Sequence, residues 1–415
     1  GDNSGGWMMA EQEGYRPLEA PAFPPAPAEA EAEPARGARS CSDSMPRSLA
    51  AVVAVAATLS VSFVCYSVLC AALLGEPLRA LPESAPAAHN ASTPATDGDA
   101  LLVFATADWG GVSVWPYVTP AQLAVRTAMA GVARASRSRV KRILALGDNF
   151  YSIGVRSVTD ARFKSTFEDV YVTGYPELSE PDMWRVVAGN HDYLATGNVS
   201  AQIAYSAHSR TWHFPSEYYT FAEAVPAGGR VQFVMTDSVL LSAGTEWGFG
   251  GEADIRRGEA HWRWLNETLA ASTAEYLIVA GHYPVWSVGS HGPSARLVER
   301  LRPMLAQYAV TAYFFGHDHC AQAFRDGSVD HHGVGGAHLL NFGRPNMRAV
   351  PDGTLAFHYG GAVWPANVYQ GAFATAAFRP RAMTVTHYDS DGRMLATMSR
   401  PPRSHVGVAV ADNFA

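Results

Sequence analysis

The sequence predicts an α/β domain between residues 100 and 400, and three observations support this fold class. Short apolar runs recur along this region, and each is four to seven residues long and rich in Val, Ile, Leu or Phe. Runs of this composition are typical of strands that are buried on both faces. Segments with helical patterns lie between them, and side chains able to bind metals follow several of the runs.

Six apolar runs define the predicted strands. In chain order they are LLVFATAD, RILALGD, WRVVAGNHD, VQFVMTD, YLIVAGH and VTAYFFGHDH. The clearest predicted helix is TPAQLAVRTAMAGVARAS, in which Thr119 is the expected N-cap and Pro120 occupies the first turn. Further helices are predicted near residues 161–171, 258–269 and 293–308.

The residues that end these runs carry the functional signal. Five run ends contain aspartate, tyrosine, asparagine or histidine, at residues 108–110, 147–151, 189–192, 281–282 and 316–319. In an open α/β sheet, ligands bind at the carboxyl ends of the strands. One such residue alone is typical of a turn, a helix cap or a hydrogen-bonded core histidine. Because five run ends deliver metal-competent side chains to one sheet edge, the sequence predicts a metal site there.

The kinds of side chain at these ends restrict which metals could bind. Carboxylate, imidazole and amide ligands without a thiolate suit Fe, Mn, Zn or Mg rather than Cu(I) or an iron–sulfur cluster. A carboxylate that bridges two cations about 3.5–4 Å apart fits a centre that activates water, orients an in-line attack on phosphorus and neutralises the phosphoryl oxygens. We therefore expect a two-metal phosphoesterase.

The order of the motifs DxG, GDxxY, GNHD, AGHYPVWS and GHDH resembles that of the calcineurin-like metallophosphoesterases. The chain is more closely similar to the small, animal-type purple acid phosphatases, also called tartrate-resistant acid phosphatases. The similarity runs from about Leu101 to His387 and includes GDNFYSIGV, GNVSAQIAYS and AGHYPVWSVGSHG. It implies a four-layer αββα sandwich of two mixed sheets with helices outside.

The resemblance also implies a role for nine residues. Asp108, Tyr151 and His319 match the ligands of a ferric site, Asn190, His282 and His317 match the ligands of a divalent site, Asp148 matches the carboxylate shared by both metals, and His191 and His291 match two histidines that bind phosphate and assist the leaving group. The implied cofactor is an Fe(III) ion paired with divalent Fe, Zn or Mn. The implied activity is hydrolysis of phosphate monoesters at acidic pH by a hydroxide on the metal pair.

Other functions are less consistent with the sequence. A protein serine/threonine phosphatase of the wider superfamily would show Asp-Arg-Gly after the second motif, where this chain has GDNFY. A divalent-metal phosphodiesterase or pyrophosphatase remains the alternative enzyme, and it would not need Tyr151. A surface receptor on a degenerate phosphatase scaffold would be expected to lose ligands, yet all seven matched ligand positions are filled. A net charge of −7 without a basic stripe argues against nucleic-acid binding.

The chain departs from the family pattern at Cys320 and in its long N-terminal segment, where animal members have a cleavable signal. Cys320 follows His319 where the family is expected to carry Asn. This difference is expected to alter the properties of the metal site and not to abolish activity. Cys320 is also the only cysteine after Cys70, so the catalytic region cannot form the disulfide of animal members. By the same resemblance, the Gly-rich, charged segment 242–257 corresponds in position to the family's exposed loop over the active site.

The residues before the catalytic domain predict a membrane anchor. Residues 1–47 are rich in Ala, Pro and Glu and are expected to be disordered. Residues 48–75 contain an uncharged apolar run long enough to span a bilayer, so a transmembrane signal anchor is predicted. A cleaved signal peptide, from a product that starts at Met45, and a buried core helix are the alternatives. Residues 76–99 are predicted to form a Pro-rich stalk, and residues 401–415 a C-terminal tail.

Charges around the apolar run predict its orientation. Arg36, Arg39 and Arg47 precede the run closely, whereas only Arg79 follows it closely. The positive-inside rule then places the catalytic domain outside the cell or in the lumen of secretory or lysosome-like vesicles, with secretion if the run is cleaved. The sequons at Asn90, Asn198 and Asn266 lie on the same side and are predicted N-glycosylation sites.

Overall fold

Two seven-stranded sheets form the framework of the domain in a computed structural model, which describes residues 100–403 except 195–196, 243–251, 342 and 363–365. The strands are β1 Leu101–Thr106, β2 Val140–Leu146, β3 Trp184–Val187, β4 Trp212–His213, β5 Tyr219–Ala224, β6 Arg230–Met235, β7 Tyr276–Ala280, β8 Ala312–Phe315, β9 Ala321–Asp326, β10 Val329–Val334, β11 Leu355–Tyr359, β12 Ala372–Phe378, β13 Met383–Asp389 and β14 Met394–Arg400. All six predicted strands are present among them.

Both sheets are mixed. The first has the order β14-β13-β12-β1-β2-β3-β4, with β1 to β4 parallel to one another and β12 to β14 antiparallel. The second has the order β11-β9-β10-β8-β7-β6-β5, in which β6, β7, β8 and β10 run parallel. Parallel neighbours end at the same edge, so β1, β2 and β3 present their metal-competent residues at one edge of the first sheet, and β7 and β8 do so at one edge of the second. The site therefore draws on both sheets and not on the single sheet edge that the run ends alone predict.

The helices connect these strands. In chain order they are α1 Pro120–Ala135, the π-helical α2 Phe163–Val172, α3 Val199–Tyr205, α4 Ser238–Leu241, α5 Glu252–Ala270, the π-helical α6 Leu297–Leu301 and α7 Arg302–Gln307, with short 3₁₀ turns at Pro176–Leu178, Asn190–Asp192, Met347–Ala349 and Ala366–Tyr369. Thr119 is the N-cap of α1, and its side chain accepts a hydrogen bond from Gln122 N, as predicted.

The second sheet lies between two buried cores, and its side chains point alternately into one core and the other. Along β7, Tyr276, Ile278 and Ala280 belong to the core shared with the first sheet, whereas Leu277 and Val279 pack with residues of α5, α6 and α7. The ring of Phe378 on β12 packs at 5.5 Å from that of Tyr276, joining the two sheets. Successive strand residues point to opposite faces, so this sheet is covered on both sides.

Several predicted segments fall at or beyond the limits of this structure. The N-terminal tail, the transmembrane segment 48–75, the stalk, Asn90 and residues 404–415 lie outside the described residues. Within residues 100–403 as described, no helix combines the length and apolar character needed to cross a membrane.

Residues 252–257, predicted to belong to an exposed loop, instead form the first turns of α5.

Candidate metal centre

The chain turns sharply at the ends of the strands that carry the predicted ligands. Asp108, Asp148 and His317 have φ angles of 51°, 52° and 70°, values that non-glycine residues seldom adopt. Such conformations persist only where the surrounding structure enforces them, and they concentrate at functional sites. The turns bring Asp108, Asp148 and His282 together, with one ligand atom of each within 4.8 Å of the others.

Tyr151 is at the centre of one group of donors. Its phenol oxygen lies 3.1 Å from Oδ1 of Asp108, 3.0 Å from Oδ2 of Asp148 and 3.0 Å from Nε2 of His319. His319 Nε2 is also 3.4 Å from Asp108 Oδ1. The structure therefore brings together the three residues predicted for a ferric site with the residue predicted to be shared.

A second group of donors lies on the other side of Asp148. His282 Nε2 is 3.0 Å from the amide oxygen of Asn190 and 3.5 Å from Oδ1 of Asp148. The ring of His317 lies 5.1 Å from that of His282. These are the residues predicted for the divalent site, and the two carboxylate oxygens of Asp148 face different groups.

Burial makes this cluster a suitable site for cations. Asp108, Asp148, Asn190 and His282 are each at most 1% exposed. Burial would raise the pKa of Asp148, but the neighbouring His282 and His191 lower it, which favours a carboxylate. Burial and the adjacent histidines hold the pKa of His317 well below its usual value, so its imidazole is neutral and able to coordinate. The donor set and its electrostatics fit a pair of cations.

The phenol of Tyr151 needs a cation before it can act as an anionic ligand. Burial raises its pKa well above 10, and Asp108 and Asp148 raise it further. A bound metal ion reverses this preference because it displaces the proton directly. Tyr151 is thus suited to a highly charged cation.

The two predicted phosphate-binding histidines lie on the open side of the cluster. The side chain of His191 is 26% exposed, and its Nε2 lies 4.0 Å from Asp148 Oδ2. Its Nδ1 lies 2.6 Å from the carbonyl oxygen of Ser152, so this nitrogen carries the proton that is donated. His291 is exposed, and its ring packs 4.1 Å from that of His317. Both histidines are more exposed than the proposed ligands, among which His319 reaches 14%.

Asp192 connects two of the loops that carry ligands, a role that the sequence did not reveal. Its carboxylate accepts hydrogen bonds from Asn149 N, Gly189 N and Gln202 Nε2. Burial and the negative charge of Asp148 raise its pKa to about 6. Asp192 is the last residue of the GNHD motif, but the sequence contains no sign that its side chain holds the turns after β2 and β3 together.

His338 is a second residue that sequence reasoning missed. Its buried ring stacks on the ring of Tyr151, with centroids 4.4 Å apart and an angle of 26° between planes. Its backbone N–H donates to the carbonyl of Asp108 over 2.7 Å. The surrounding GGAHLL segment carries none of the motifs, so no local signal pointed to this contact.

Cys320 is buried and is a free thiol, and burial raises its pKa well above the usual value.

Comparisons with known proteins identify the family of the chain. The family model described as calcineurin-like phosphoesterase matches residues 103–321. The chain is 38% identical over 311 residues to tartrate-resistant acid phosphatase type 5 of Homo sapiens, covering 74% of this chain and 92% of that protein. It is 29% identical over 262 residues to purple acid phosphatase 17 of Arabidopsis thaliana, covering 61% of this chain and 72% of the plant protein.

Two solved structures share the fold. GAP50, the anchor in the inner membrane complex of Plasmodium, aligns with a TM-score of 0.61 at 21% identity, over 74% of this chain and 90% of that one. The purple acid phosphatase PPD1 from yellow lupin seeds aligns with a TM-score of 0.51 at 14% identity, over 73% of this chain and 54% of that one. At these identities the similarity concerns the fold alone.

Proposed function

The chain belongs to the calcineurin-like phosphoesterase family, and we propose that its acid phosphatase activity depends on a binuclear centre of one ferric and one divalent ion. The activity follows from its similarity to acid phosphatases over nearly their whole length. The identity of the two metals and the assignment of their ligands are the proposal, and the donor geometry supports both.

The position of Asp148 is the observation that carries the proposal. One of its oxygens lies 3.0 Å from the phenol of Tyr151, and the other lies 3.5 Å from Nε2 of His282. A carboxylate with its oxygens directed to different donor groups is suited to bridge two cations. Asp108, Tyr151 and His319 would hold the ferric ion, while Asn190, His282 and His317 would hold divalent Fe, Zn or Mn.

The remaining residues bind the phosphate and direct the proton. When bound, a pair of such cations activates water and neutralises charge on the phosphoryl oxygens. His191 and His291 stand on the solvent side, where a phosphate monoester enters. Because Nδ1 of His191 donates to Ser152 O, Nε2 is the nitrogen that faces the site. With a proton on each ring nitrogen, His191 can donate from Nε2 to the phosphate or to the leaving oxygen.

Tyr151 explains why a trivalent ion is proposed. Hydrolysis of a phosphate ester does not itself require a phenol, and a phenolate is a hard, anionic donor. Since the buried phenol is held protonated by its surroundings, a strongly charged cation is needed to remove the proton. A ferric ion would acidify water more than a divalent ion and so sustain activity below neutral pH.

We place the catalytic domain outside the cytosol, anchored through residues 48–75 or secreted if that segment is cleaved. The uncharged apolar run and the flanking arginines support this proposal. Asn198 is exposed at the start of α3, whereas Asn266 lies half-buried within α5 and accepts a hydrogen bond from Tyr308. Among these two sites, the geometry favours glycosylation of Asn198.

Substrate preference tests the proposed reaction against its alternative. The purified protein should hydrolyse p-nitrophenyl phosphate at pH 5 much faster than bis(p-nitrophenyl) phosphate or pyrophosphate. Metal analysis of the same sample should find iron. Preferential hydrolysis of the diester or of pyrophosphate by an iron-free protein would instead indicate a divalent-metal phosphodiesterase or pyrophosphatase.

A further inference from the structure

The loop Ser287–Gly292, which we term the His291 loop, is held by the carboxylate of Asp318. Oδ1 of Asp318 accepts from the backbone N–H of His291 over 2.8 Å and from the hydroxyl of Ser290 over 3.3 Å. Oδ2 accepts from the backbone N–H of Gly292 over 3.2 Å and from the hydroxyl of Ser287. One buried side chain therefore satisfies four donors within six residues.

The local geometry leaves little room for this loop to move. A Cβ atom at Gly289 would lie 2.6 Å from the carboxylate of Asp318, so only glycine allows the close approach. Gln322 accepts from Val288 N over 3.0 Å, and Asn346 donates to the carbonyl of Gly289 over 2.6 Å. The His291 loop is thus fixed from three directions.

Asp318 also belongs to the turn that carries two proposed ligands. It lies between His317 and His319 in the chain, and the ring of His317 packs 4.1 Å from that of His291. A carboxylate has about four acceptor sites, and here four donors occupy them. Asp318 therefore has no oxygen lone pair left for a metal or a substrate, although it lies beside both proposed sites.

We propose that Asp318 is a positioning residue that fixes His291 relative to the metal-binding turn, so that the imidazole meets the phosphate of the substrate. The proposal rests on the proposed function, because it takes from it the role of His291. Errors of about 1 Å in the position of a reacting group can cost roughly 10²-fold in rate. Asp318 would act through the backbone of the His291 loop and not on the substrate itself.

Asp318→Asn tests this proposal because it keeps the size of the side chain but turns an NH₂ group toward N–H donors. We expect bound metal to be retained, amide hydrogen exchange in residues 287–292 to rise, and kcat to fall roughly 10²-fold. Asp389→Asn is the matched control, since Asp389 also accepts from two backbone N–H groups, those of Asp391 and Arg393, but on the turn after β13. The control should retain wild-type kcat.

A double-mutant cycle with His291→Ala separates positioning from a general structural role. If Asp318 acts through His291, Asp318→Asn should change kcat less than about 3-fold when His291 is already alanine, since the two effects are not independent. An equal loss of kcat in both backgrounds, or loss of metal from Asp318→Asn, would overturn the proposal. Unchanged hydrogen exchange in the His291 loop would also overturn it.

Ser287→Ala provides a second test, which can be used if Asp318→Asn does not fold. It removes one of the four donors without changing the charge, and it should raise amide hydrogen exchange in residues 287–292. Unchanged exchange in Ser287→Ala would then overturn the proposal. A wild-type protein that lacks phosphatase activity would contradict the proposed function, and raised exchange in Asp318→Asn would then show only that Asp318 holds the His291 loop.

Discussion

The phenol oxygen of Tyr151 lies 3.0 Å from Oδ2 of Asp148, and both residues are buried. The two residues are only three positions apart, and the turn after β2 directs both into the site. This contact joins the proposed bridging carboxylate to a proposed ligand of the ferric ion. Substitution of Tyr151 should affect the ferric ion, whereas substitution of Asp148 should affect both ions.

Tyr151→Phe should remove the visible colour of the metal-loaded protein. The substitution keeps the ring and removes only the oxygen, so charge transfer from phenolate to iron is lost. We expect activity to fall most at pH 5 and less near pH 7, because the ferric ion loses an anionic ligand. Absorption spectra and pH–rate profiles check this. Tyr171→Phe, at a buried tyrosine of the aromatic core, is the control and should keep the colour.

His191→Ala and His291→Ala should retain metal but lose turnover. Both side chains lie on the solvent side of the cluster, and acid–base or charge-stabilising groups contribute roughly 10²–10⁴-fold in rate. Metal content and kcat of each variant check this. The alternative is that the His191 side chain orients Asp108 or Asp148, since its Nε2 lies 4.0 Å from Asp148 Oδ2. Loss of metal from His191→Ala would favour that alternative.

His261 should make the fold less stable in acid. Burial lowers the pKa of this histidine on α5 to about 3, whereas the unfolded chain has a value near 6.5. Between these values the unfolded state binds a proton that the folded state does not, so the free energy of unfolding falls as the pH drops below about 6.5. Near pH 5 the loss for this one group is about 2 kcal/mol relative to pH 7.5.

His261→Phe should remove that part of the pH dependence. The ring of His261 stacks on that of Tyr218 at 4.0 Å, so phenylalanine can preserve the packing. Urea unfolding at pH 5 and pH 7.5 measures the difference, and His208→Phe, at an exposed site, is the control. An unchanged pH dependence in His261→Phe would show that His261 does not account for the acid sensitivity.

Asn198→Gln should reduce the shift in gel mobility that glycosidase treatment produces in protein from a eukaryotic secretory host. Asn198 is exposed at the N-terminus of α3, which leaves room for a glycan. Asn266→Gln should have a smaller effect, because Asn266 is half-buried whereas Asn198 is exposed. If wild-type protein shows no shift, the catalytic domain is not exposed to the secretory lumen as we propose.

The sequence was sufficient to predict six of the fourteen strands that the structure describes, including the five whose ends carry the candidate ligands. Asp108, Asp148 and His282 each follow a buried strand, and parallel strands bring their carboxyl ends to one edge of a sheet. The run ends did not show that Asp108 and Asp148 come from the first sheet and His282 from the second. The separation into two donor groups came from the family resemblance, because spacing along the chain does not show which oxygen of Asp148 faces Tyr151.

Contacts between distant segments were not predictable in the same way. His338 lies far along the chain from Tyr151, and a buried histidine outside a motif gives no sign of its partner. Asp318 was visible in GHDH, but between two histidines it resembled a spacer. Its role depends on the path of the His291 loop, which only the folded chain defines.

The metal content of Asp148→Ala, compared with that of wild-type protein, tests the central claim most directly. Removing the proposed bridge leaves two buried cations with less charge compensation and no common ligand. Elemental analysis should find two equivalents of metal per chain in the wild type, one of them iron, and almost none in Asp148→Ala. Two full equivalents retained by Asp148→Ala would contradict the bridging role of Asp148 and the binuclear centre built on it.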